Sequence, residues 1–104
     1  MTTPAVREDT TVTFPFGVEL TGRLIHHTEH SVLELETDEG PERLSISLTA
    51  YDLRPADGCV FVKDWSEHAG LTESLEKQGL VEIVGRRIVG PFNSPAYEVR
   101  VLLD

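Results

Sequence analysis

Cysteine is nearly absent. Cys59 is the only one in 104 residues, so no internal disulfide can form. That usage fits a reducing cytoplasm, and a cytoplasmic location is expected. No apolar run approaches the roughly 20 residues a transmembrane helix needs. The opening MTTPAVREDTTV lacks the basic and apolar regions of a signal peptide, so none is expected. Basic residues are also scarce, nine against 18 acidic ones, for a formal net charge of −9. Nucleic-acid phosphates and anionic lipid surfaces both repel that charge. Direct nucleic-acid binding and membrane binding are therefore not expected. The glycines are scattered without GxGxxG or P-loop spacing, and no cofactor is expected.

What is there reads as one domain. Residues 1–9 are polar, include Pro4, and suggest a loose tail ahead of a domain over residues 10–104. In TVTFPF, Val12, Phe14 and Phe16 share a side, with Pro15 opposite, as in an edge strand. In VELTGRLIH, Val18, Leu20, Gly22, Leu24 and His26 alternate with polar residues, as in a half-solvated antiparallel strand. SVLELET and ERLSISLT alternate around the turn DEGP, which predicts a β-hairpin. Leu33, Leu35, Leu44, Ile46 and Leu48 then face inward, with Arg43, Ser45, Ser47 and Thr49 outward.

YDLRPADG reads as a loop and CVFVK as a central strand. A helix is expected within residues 66–78: Leu71 and Leu75 form its apolar stripe, Glu73 and Lys77 an i,i+4 pair, and Gly79 its stop. LVEIV and RRIVG follow as strands hinged at Gly85. PFNSP is a loop, and AYEVRVLLD a last strand with Tyr97, Val99, Val101 and Leu103 on one face. About seven strands and one late helix predict an α+β fold, a curved, mostly antiparallel sheet with the helix packed on it. The alternative is a small barrel with a helix plug.

Three clusters invite a chemical reading. DWSEH, residues 64–68, holds an acid, a serine and a histidine in a row. A triad needs convergent side chains, whereas helix positions i and i+2 point about 200° apart. Capping fits better: Ser66 caps directly, or Asp64 and Glu67 form a D-x-x-E box. Trp65 beside them is expected to anchor the strand–helix joint, with a partner contact as its alternative role. HHTEH, residues 26–30, offers His26, His27, His30 and Glu29 as metal ligands. On a strand His26 and His30 share a face that His27 does not, and a polar turn is the plainer reading. Cys59 opens an apolar strand, where cysteine packs as a small hydrophobe. Arg86 and Arg87 point to opposite faces of a strand and build no phosphate patch.

The remaining signal is where the charge lies. Residues 1–52 carry ten acidic and three basic residues, and residues 53–104 carry eight and six. Glu29, Glu34, Glu36, Asp38, Glu39 and Glu42 fall within fourteen residues on the expected hairpin. With Trp65 they are the expected partner-binding residues.

Residues 61–90, FVKDWSEHAGLTESLEKQGLVEIVGRRIVG, resemble a family of small uncharacterised proteins from bacterial phages, plasmids and integrated mobile elements. The likeness rests on Phe61, Val62, Lys63, Asp64, Ser66, Glu67, Gly70, Leu71, Leu75, Gly79, Val81 and Gly85. It implies a small accessory protein and carries no activity. The expectation is thus a non-catalytic interaction protein with a basic protein partner, and homodimerisation through the TVTFPF edge is open to it. The alternatives are an anti-defence inhibitor or nucleic-acid mimic, which needs one continuous negative surface, and a metalloprotein or small hydrolase on the histidine cluster.

Overall fold

The computed structural model describes residues 5–14, 17–65 and 68–103. Within them the chain is α+β, with eight antiparallel strands in two four-stranded sheets and one α-helix. No helix among the described residues is long and apolar enough to cross a membrane.

The first sheet is a meander of β1 (Ala5–Thr13), β2 (Glu19–His27), β3 (Val32–Thr37) and β4 (Gly40–Arg43). Strand alternation sets its inner face. Leu20 stands opposite Val12, Leu24 opposite Leu35, and His26 opposite Leu33. The β3–β4 hairpin turns through Asp38 and Glu39, with Gly40 at φ 113°. Backbones approach closely at Gly22, where a Cβ would come within 2.0 Å of the Glu36 carbonyl oxygen, so only glycine fits there.

The loose tail expected over residues 1–9 is corrected in its described part. Ala5, Val6 and Arg7 pair with His26, Ile25 and Leu24. Residues 1–4 lie outside the described residues. The period-two pattern becomes legible only from Thr11 because a bulge separates Arg7 from Thr10 and breaks the phase. Asp9 sits there at φ 49°, and the Thr10 hydroxyl donates to the Arg7 carbonyl at 3.1 Å.

The second sheet has the order β5-β6-β8-β7, from β5 (Ser45–Ile46), β6 (Cys59–Lys63), β7 (Val81–Val89) and β8 (Ser94–Val101). CVFVK is central, as expected. LVEIV and RRIVG form one strand, bulged between Ile83 and Gly85. One residue, Leu44, separates β4 from β5, and there the chain passes from one sheet to the other. Leu33 holds the corner: it accepts from the Leu44 N–H at 2.9 Å and donates its own N–H to Ser45 Oγ at 2.8 Å. The expected alternation therefore breaks. Ser45 is buried, while Ile46 pairs with Phe61 and packs into a different cluster from Leu44.

The main core lies between the sheets, built from Leu24, Leu33, Leu35, Leu44, Val60, Val62 and Val99. Helix α1 (Leu71–Lys77) adds Leu71 and Leu75, both fully buried. It contacts β1 and β7, the outer strands of the two sheets, which do not pair with each other among the described residues. The barrel is thus not closed.

The helix, Leu71–Lys77, lies within the expected 66–78. Its N-cap position is Gly70, at φ 84°, and its cap comes from a distance. Asp64 accepts the Gly70 and Thr72 N–H groups, each at 3.0 Å. Ser66 and Glu67, the other capping candidates, lie outside the described residues. The C-terminus follows the sequence reading. Gly79, at φ 74°, donates to Glu76, and Leu80 donates to Leu75, the paired bonds of a Schellman motif.

Candidate functional site

The acidic hairpin is divided by its own geometry. Glu34 and Glu36 do share the outer face of the first sheet, but each meets a base. Glu34 lies 2.9 Å from His27 Nε2 and Glu36 3.2 Å from the Arg23 guanidinium, which also reaches Glu8 at 3.6 Å. Strand register makes these neighbours: Arg23 stands opposite Glu36. His27 lies two residues along the same face from Ile25, which stands opposite Glu34, while Arg43 faces Glu34 from β4. Glu42 has the other parity, opposite Leu35, and lies 3.5 Å from the Nε2 of buried His68. Glu29 sits in the β2–β3 turn, at the far end of β3 from Asp38 and Glu39 at the hairpin tip. Arg23, His27 and Arg43 thus interrupt the negative row, a poor fit to the continuous surface a nucleic-acid mimic needs.

The histidines diverge. His26 points inward and is buried. Its burial, and then the charge of neighbouring His27, lower its pKa below the ordinary value. His27 points outward to Glu34, and His30 lies exposed in the turn. Among the described residues no group of three or more His, Cys, Asp or Glu side chains is arranged to hold a metal ion. In DWSEH, both Asp64 oxygens are engaged by the helix N-terminus, while His68 is buried with its ring centroid 5.6 Å from that of Phe14.

Cys59 is buried, and burial, followed by the Glu98 carboxylate, pushes its thiol pKa up. Arg86 and Arg87 do separate. Arg86 lies 6.0 Å from the Tyr97 ring centroid, and Arg87 pairs with Glu98 at 3.4 Å.

Trp65 joins a second, smaller cluster with Leu48, Phe61, Val89 and Ala96, on the face of the second sheet away from the main core. It is only partly buried, and the Lys63 ammonium lies 5.4 Å from its ring centroid. Trp65 also lines a groove of about 320 Å³ with Tyr51, Phe92, Leu48 and Val89. Tyr51 ends a short 3-10 turn (Thr49–Tyr51) and is 51% exposed; Phe92, in the turn between β7 and β8, is 88% exposed. Gly90 shapes the wall, since its φ of 76° lets the chain turn with the Tyr51 hydroxyl close by. Sequence reasoning missed Tyr51 and Phe92. The available signal was a large aromatic residue within Gly-Pro-Phe-Asn, a turn whose tip has no core to enter.

Comparison with protein-family models, with curated proteins and with solved structures finds no match.

Proposed function

We propose that the protein is a small non-catalytic interaction protein that binds another protein with a basic surface. The contact is the groove of Trp65, Tyr51 and Phe92. Phe92 carries this reading, because a phenylalanine 88% exposed beside a second exposed aromatic and a half-buried tryptophan leaves apolar surface in water. Tryptophan and tyrosine are also the residues on which interface energy concentrates. The acidic groups act at longer range. A net charge of −9 draws in a basic partner, while the groove supplies the short-range contact.

The test is affinity capture from native lysate at low salt, with wild type, Phe92→Ala and Trp65→Ala compared. A basic polypeptide is expected on the wild type, released at high salt and lost with Phe92→Ala. Phe92→Ala should leave the urea midpoint unchanged, since an exposed side chain contributes within about 0.5 kcal/mol. Retention that both variants keep, or no retained polypeptide, would overturn the proposal.

A further inference from the structure

We infer a binding site for a small monocarboxylate with an apolar body, in the hollow between the β2–β3 turn and the loop that follows β5. The hollow measures about 270 Å³, just below the roughly 300–1,000 Å³ range of ligand pockets and sized for a small molecule. Phe61 and Leu48, both buried, supply its apolar lining, and Arg43, Arg54, His30 and Glu29 its polar lining.

The arginines carry the inference. Among the described residues Arg23, Lys77, Arg87 and Arg100 meet carboxylates, whereas Arg7, Arg43, Arg54 and Arg86 do not. Of the latter four, Arg43 and Arg54 come together, lining this one hollow. Each guanidinium presents a planar fork of N–H donors that matches a carboxylate in two parallel bonds. The apolar lining beneath gives such an anion's hydrocarbon part a place out of water.

Repulsion from a molecule of net charge −9 and attraction to the two guanidinium groups both rise with a ligand's charge. The apolar lining rather than charge therefore selects among anions, and it favours one with a hydrocarbon body. The site is separate from the aromatic groove, although Ile46, Ser47 and Leu48 wall both. Its failure would leave the interaction reading untouched.

Titration calorimetry on the full chain tests it, with phenylacetate as the probe. Neutral phenylacetamide and acetate, which lacks the apolar body, serve as controls, and Arg43→Gln and Arg54→Gln as variants. Saturable heat with phenylacetate is expected, with binding at least about tenfold weaker for both controls and for each variant. Both arginines are exposed, so circular dichroism melts of the variants should match wild type. Absence of saturable heat, equal binding of the amide or of acetate, or full binding by both variants would overturn the site.

Discussion

His26 and His27 are adjacent and meet opposite environments, because successive strand residues face opposite ways. His27 finds Glu34 on the outer face, and His26 is carried inward against the core. Burial makes the charged form of His26 costly, which has a definite consequence for stability. As pH falls through the ordinary histidine value of 6.5, the unfolded chain takes up a proton that the folded protein resists. The stability held by neutral His26 is complete above that value and is lost below it, down to the depressed folded pKa. Urea midpoints of wild type should therefore fall more steeply than those of His26→Leu from about pH 7 to about pH 5. Parallel slopes would show that His26 contributes nothing to acid sensitivity. The six hairpin carboxylates were legible as a run in the sequence, but their partners were not. Arg23 and His27 reach them through register, and register joins residues that the chain keeps apart.

At the scale of elements, the joint after β6 shows where local signals succeed and fail. Gly79 ends the helix as its sequence position predicts, because a Schellman motif involves only neighbouring residues. The helix start was less sharply legible, because its cap, Asp64, reaches Gly70 and Thr72 across an intervening turn. Asp64→Ala should cost about 1–2 kcal/mol, read as a lower urea midpoint with an unchanged slope. Asp64→Asn keeps one acceptor oxygen and should cost about half as much. Equal stability of all three proteins would mean that the two bonds contribute no net stabilisation. The hairpin was legible from alternation around DEGP. The corner at Leu44 was not, because Ser45 reads as a solvent-facing residue until the Leu33 N–H is seen to end on its hydroxyl.

For the whole molecule, the two sheets share one core because β4 continues into β5 through Leu44, and α1 contacts the outer strands that do not pair. Leu75 is fully buried at that contact. Leu75→Ala should destabilise by about 3 kcal/mol, the middle of the range for buried leucine truncations. It should also raise binding of a hydrophobic dye below the melting transition, as the inner face opens to solvent. A melt and dye binding identical to wild type would mean that the helix is not needed to cover the core.

The sequence by itself determined the class of fold, the hairpin, the central strand, the inner faces of β2 and β8, and the helix stop. Each follows from a period of two, from a period near four, or from a glycine where the backbone must turn left-handed, and all act over a few residues. Only the tertiary structure decided the split into two sheets, the pairing of the acidic residues, and both hollows. Tyr51, Trp65 and Phe92 come from three separate connections, and Arg43 and Arg54 from a strand end and a loop. Such sites arise when the second sheet and its covering loop bring distant residues together, and no periodicity in the chain encodes that proximity.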